Sequence, residues 1–137
     1  MILAVIDTNV LVSALYTSNP QSATRLVLAA LGEHKYIPLY NDAILKEYRE
    51  VLSRPKFGFS VSTIDALLQQ ICESGQDVER VQYPEKMKDE TDRKFFEVVL
   101  AKQDEGAKLV TGNQKHFPVK PFVITPAEFY KLLTGVS

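Results

Sequence analysis

Ile2, Leu3, Ala4, Val5 and Ile6 form an unbroken apolar run, the pattern of a strand covered on both faces of a parallel sheet. After the segment Val10 to Tyr16, Asn19 and Pro20 supply a cap and a first-turn proline. They predict a helix that places Ala23, Leu26, Val27, Ala30 and Leu31 on one face and stops at Gly32. Tyr36 to Tyr40 reads as a short strand, although Pro38 cannot donate to an interior ladder. Asn41 or Asp42 then caps a helix with Ile44, Leu45, Tyr48, Val51 and Leu52 on one side, ending before Pro55. Ser62 and Asp65 resemble an acidic capping box before a helix that turns Ile64, Leu67, Leu68, Ile71 and Cys72 inward and ends at Gly75.

The stretch from Asp77 to Asp92 is polar and reads as a loop, with Val78, Val81 and Tyr83 forming at most a small extended piece. A helix with Phe95, Phe96, Val99 and Leu100 inward follows, then strands at Lys108–Thr111 and Phe122–Ile124. Thr125, Pro126 and Glu128 place a cap, a first-turn proline and a capping-box acid in register for a last helix. Strands and helices alternate without a repeat or a dividing linker. The pattern predicts a single α/β domain over residues 1–137, a three-layer sandwich in which helices flank a central, mainly parallel sheet of four or five strands.

Sixteen basic and 17 acidic side chains leave a formal charge of -1, which argues against a surface given over to duplex nucleic acid or anionic membrane. A single cysteine, Cys72, has no partner for an internal disulfide or a zinc pair, and it suits a reducing cytoplasm. Met1 to Ile6 is too short for a signal or a membrane segment. The expectation is therefore a cytoplasmic protein without membrane partners.

In parallel sheets ligands bind beyond the carboxyl ends of the strands, which directs attention to Asp7–Asn9, Asn41–Asp42 and Gly112–His116. Asp7 follows a buried strand directly, and equally suits a helix cap or a turn. At about 100° per residue, Glu47 lies roughly 40° from Val51, on the border of the apolar arc, whereas Glu50 should face water. Asp92 stands at the start of the Phe95–Phe96 helix, where an acid also complements the dipole; Asp89 and Glu90 rank behind it. Asn113 follows the Leu109–Gly112 stretch, a position where Asn also makes turns.

Three carboxylates gathered from distant parts of the chain would repel one another without a cation. An all-oxygen set suits Mg²⁺ or Mn²⁺ rather than zinc, and the chain carries no phosphate loop, nucleophile elbow or zinc-ligand spacing. Carboxylates with a divalent metal point to phosphoester chemistry.

Four blocks occur in order: Asp7-Thr8-Asn9-Val10-Leu11-Val12-Ser13, Leu45 to Phe57, Asp89-Glu90-Thr91-Asp92-Arg93-Lys94-Phe95 and Leu109-Val110-Thr111-Gly112. Together they resemble a PIN domain, and more narrowly the VapC-like toxins of prokaryotic toxin-antitoxin pairs. The resemblance implies a PIN-like fold and a metal-dependent ribonuclease acting on single-stranded or looped RNA. It matches the family's catalytic, metal-holding acids to Asp7, Glu47 and Asp92, with Asn9, Thr111 and Asn113 in support. It also implies a small antitoxin partner and a homodimer. Where many members carry Asp after Thr-Gly, Asn113 keeps an oxygen but loses a charge, so one tightly held cation is expected rather than two.

Arg54, Lys56, Arg93, Lys94, Lys115 and His116 flank these acids and are the candidate RNA contacts. The aromatics read as core or rim rather than as stacking platforms. Two alternatives stand beside the ribonuclease. One is a PIN-fold protein of weak or no activity that binds RNA or an antitoxin, which Asn113 favours. The other, ranked lower, is a haloacid-dehalogenase-type phosphatase with Asp7 as nucleophile; that class ordinarily has Asp where Asn9 stands.

Overall fold

The computed structural model describes residues 1–135. Five strands, β1 (Leu3–Ile6), β2 (Ile37–Tyr40), β3 (Gln76–Asp77), β4 (Lys108–Val110) and β5 (Val123–Ile124), form one sheet in the order β3-β2-β1-β4-β5. Every pairing is parallel. The helices are α1 (Thr8–Tyr16), α2 (Ala23–Gly32), α3 (Asp42–Leu52), α4 (Val61–Ser74), α5 (Arg93–Ala101) and α6 (Pro126–Thr134). All four residues of β1 are buried, as a central strand covered on both faces requires. The expected layered α/β architecture is the observed one, with the sheet at five strands and parallel throughout.

β1 lies at the centre because the chain lays β2 and β3 on one side of it and β4 and β5 on the other. The reversal of strand order falls between β1 and β4, which opens a crevice at their carboxyl ends. Pro38 is accommodated inside the sheet by the alternation of strand donors. The Ile37 N–H donates to Ile2 O at 2.9 Å on the β1 side, so the Pro38 nitrogen faces the other way. On that side β3 begins pairing only opposite Leu39, and no ladder donor is lost.

Several local signals resolve differently from the sequence reading. Ser22, not Asn19, caps α2 by accepting from the Arg25 N–H; Asn19 instead accepts from Gln21 N within the preceding turn. Gly32 stays helical, and the left-handed position falls on His34 (φ 57°). Bonds from His34 N to Leu31 O and from Lys35 N to Ala30 O complete the Schellman closure there. Ser60, not Ser62, caps α4. Cys72, expected to face inward, is exposed, while Ile64, Leu67, Leu68 and Ile71 are buried.

The fifth strand, β3, precedes the apolar residues expected to form an extended piece. Its register comes from Leu39 and Tyr40, not from its own side chains, which are exposed. Gly75 permits this approach. A Cβ there would stand 2.3 Å from the Pro38 carbonyl oxygen and 2.5 Å from that of Ile71. Val78 then enters the core, while Val81 stays exposed. The expected capping box of α6 is present in full, with Thr125 and Glu128 each bonded to the other's backbone N–H.

Candidate active site

Asp7 is held at the switch point by its backbone and its side chain together. Its N–H donates to Val110 O at 2.9 Å, continuing the β1–β4 ladder past the end of β1. The Tyr48 hydroxyl donates to Ile6 O, pinning α3 beneath the same strand end. Asp7 occupies the N-cap position of α1 but makes no side-chain cap bond there. Its Oδ2 instead accepts the Thr111 hydroxyl at 2.7 Å. Thr111 Oγ1 in turn accepts the Asn113 N–H at 2.9 Å, which fixes the hydroxyl's direction. Asp7 is only 5% exposed, and burial together with the Glu47 charge pushes its carboxyl above the ordinary range, against the Thr111 hydrogen bond.

Glu47 precedes Tyr48 on α3, so the packing of Tyr48 brings it to the crevice. One carboxylate oxygen accepts the Thr8 hydroxyl and the other accepts Lys94 Nζ at 2.7 Å. Lys94 also donates to Thr91 O, and so it ties α3 to the start of α5. Glu50, a turn away, keeps a 69% exposed side chain, as its helical angle predicts.

Asp92 stands at the N-cap position of α5 and likewise leaves the cap unmade. Burial, then the charges of Asp7 and Asp89, raise its carboxyl to about 6, while His116 acts in the opposite direction. His116 Nδ1 lies 3.7 Å from Asp92 Oδ2, a contact that becomes an ion pair when the ring is protonated. Among the described residues, Asp89, Asp92 and His116 offer ligand atoms that lie within 4.8 Å of one another.

These groups line one cleft of ≈ 550 Å³. Of the residues singled out from sequence, Asp7, Asn9, Glu47, Arg54, Asp92, Lys94 and His116 are on its wall. Thr111 sits behind Asp7, and Asn113 is exposed, its backbone committed to Thr111. Lys56 lines an adjoining pocket, and Lys115 lines a separate one with Pro118 and Val123.

Arg93 is a correction to the RNA-contact set. Its guanidinium donates to Glu90, to Glu97 and to the carbonyls of Tyr83 and Glu85, so its donors serve the fold. Asp89, ranked behind Asp92 in the sequence, joins the cleft. The three-residue spacing was its signal, because Glu90–Asp92 forms a 3₁₀ turn, in which positions i and i+3 eclipse. The parts played by Thr8, which holds Glu47, and by Lys46 on the cleft wall had no such signal.

The sequence model of the PIN domain matches residues 3–115, and the chain belongs to that family. No curated protein and no solved structure matches it significantly. PIN domains are generally nucleases, and a phosphodiester-cleaving class replaces the phosphatase reading. Nucleases of this family typically use divalent metals. The donors here fit one: they are carboxylate oxygens, those of Asp7 and Asp92 pushed up by burial and by neighbouring acid charge, with a single imidazole beside Asp92.

Proposed function

We propose that this PIN domain is a metal-dependent endoribonuclease that cuts single-stranded or looped RNA, and that it is the toxin of a toxin-antitoxin pair. The observation that carries the nuclease reading is the cleft that Asp7, Glu47 and Asp92 line together, residues 40 to 85 positions apart in sequence, with the Glu47 charge adding to the rise at Asp7 and the Asp7 charge adding to the rise at Asp92. Mg²⁺ or Mn²⁺ would be held by Asp7, Glu47 and Asp92, with Asp89 and His116 at the margin. The ion, when bound, supplies water activation and offsets charge on the departing oxygen.

The protein's own groups do the positioning. The Thr111 hydroxyl aims Asp7, and the Thr8 hydroxyl aims Glu47. Lys94 balances Glu47 and leaves its remaining donor toward the cleft, where a scissile phosphate would meet it. Arg54 at the cleft wall gives the incoming polyanion a second cation. His116, on the cleft wall beside Asp92, offers the bound strand a further polar contact. A small antitoxin that covers this cleft, and a homodimeric toxin, complete the reading.

Purified protein is expected to cleave unstructured RNA with Mg²⁺ or Mn²⁺ and to stop when EDTA is added. Asp92→Asn is expected to lower the cleavage rate at least about 100-fold with an unchanged circular-dichroism spectrum. Cleavage that persists in EDTA, or in that variant, rules the reading out.

A further inference from the structure

Beside the acidic cleft lies a second pocket of ≈ 360 Å³. Asn9, Val12, Ser13 and Tyr16 form one wall, and Lys56 and Phe57 form the other. The spacing 9, 12/13, 16 is a single face of α1, so the first wall runs straight out from the helix end where Asp7 sits. Asn9 borders both cavities, and the Arg54–Phe57 segment gives Arg54 to the cleft and Lys56 to the pocket. The two cavities therefore adjoin at Asn9.

Tyr16 is 67% exposed. Its tilt is nevertheless fixed, because it meets Phe57 and Phe59 edge to face at centroid distances of 6.4 and 6.5 Å. Phe57 and Phe59 are stacked on each other at 5.7 Å. The Lys56 ammonium stands 5.1 Å from the Phe57 ring centre. A solvent-facing aromatic on one wall and a lysine on the other are what single-strand binding requires: a face for a base and a charge for the backbone. A partner protein's apolar segment fits less well, since Asn9, Ser13 and Lys56 break the apolar lining.

We propose that this pocket is a base-stacking subsite for single-stranded RNA, in which an unpaired nucleobase lies on Tyr16 and Lys56 meets the adjoining phosphate. The subsite rests on the ribonuclease reading above and extends it, since it places one nucleotide flanking the scissile bond outside the acidic cleft. Because every base has a π face, the subsite accepts unpaired RNA broadly and excludes duplex, whose bases are not available to stack.

The test uses the full chain in EDTA with fluorescein-labelled 2′-O-methyl hexa-adenylate, which is not cut, and six versions each carrying one abasic position; anisotropy gives Kd. Tyr16→Ala is expected to weaken the parent oligonucleotide about 10-fold, and Tyr16→Phe to bind as wild type. One abasic version should lose about as much against wild type and show no further loss against Tyr16→Ala. Equal binding by Tyr16→Ala and wild type overturns the subsite. So does a loss that is the same for every abasic version, or no binding of the parent by wild type. Asp92→Asn separates the two proposals: if it still cleaves while the Tyr16 dependence holds, the catalytic reading fails and the subsite stands. Should Tyr16→Ala change only the oligomeric state on gel filtration, the face is a protein interface and the subsite is wrong.

Discussion

At the scale of single residues, Asp7 and Asp92 share a feature that separates them from ordinary helix-start acids. Each stands at an N-cap position and neither caps. Both line the cleft, where burial and neighbouring charge make ionisation costly. For Asp92 the folded-state pKa of about 6 exceeds the ordinary 3.8. A raised value means that the protonated form favours folding, so this contribution is present below pH 3.8 and is lost as pH rises through 6. In EDTA, Asp92→Asn should therefore have a higher Tm than wild type at pH 7.5, and the gap should close by about pH 4; thermal melts at the two pH values measure it. Asp7 was legible in the sequence because it ends an unbroken apolar strand, and Glu47 because its angle on α3 borders the apolar arc. The Glu47–Lys94 pair was not legible, since it joins side chains 47 positions apart through the packing of α3 against α5.

At the scale of elements, the segment between β3 and α5 is irregular yet firmly attached. Glu97, 4% exposed on α5, accepts the Tyr83 N–H at 2.7 Å, Arg80 Nε at 2.7 Å and Arg93. Burial pushes this carboxyl up, but the Tyr83 N–H and the two guanidiniums outweigh it and hold it below its ordinary 4.5. A depressed pKa gives stability that is present above 4.5 and lost as pH falls through the lower folded value. Glu97→Ala should cost about 3 kcal/mol in urea unfolding at pH 7, because it leaves the Tyr83 N–H unpaired and removes the carboxylate that Arg80 and Arg93 share, and less as the pH drops below 4. The same variant should loosen residues 79–92 to proteolysis.

Gly75 is the other structural hinge of this region. Gly75→Ala drives a methyl group into two backbone carbonyls and should lower stability by about 1–3 kcal/mol, read from the urea midpoint. The sequence pattern located five of the six helices and four strands; it left Val10–Tyr16, most of α1, without an assignment, and β3 escaped it. Two exposed residues carry no alternation, and only the register of β2 makes them a strand. The cap shifts at Ser22 and Ser60 have a similar origin: when several small polar residues cluster, tertiary packing decides which one stops being helical.

At the scale of the whole molecule, a chain of net charge -1 gathers acids into one cleft, with Arg54 and Lys94 on its wall and Lys56 in the adjoining pocket. A polyanion is thus met by cations at the rim before it reaches the carboxylates. A divalent ion that binds only when Asp7, Glu47 and Asp92 are assembled must stabilise the fold by mass action. Free Mn²⁺ at 100 times its Kd adds about 2.7 kcal/mol and should raise the Tm by several degrees, an increase that Asp92→Asn largely removes. Calorimetry with and without Mn²⁺ checks this without any RNA. The family and the order of its acidic blocks were legible across the chain. The close approach of His116 to Asp92, 3.7 Å apart, was not, because it depends on how the 3₁₀ turns at Glu90–Asp92 and Gln114–His116 come together.

The sheet ends on both sides in strands of only two residues, β3 and β5. Each border therefore offers too few open backbone groups to recruit a foreign strand, a common defence against fibril growth. A protein built this way should stay dispersed at concentrations where longer-edged sheets begin to template one another.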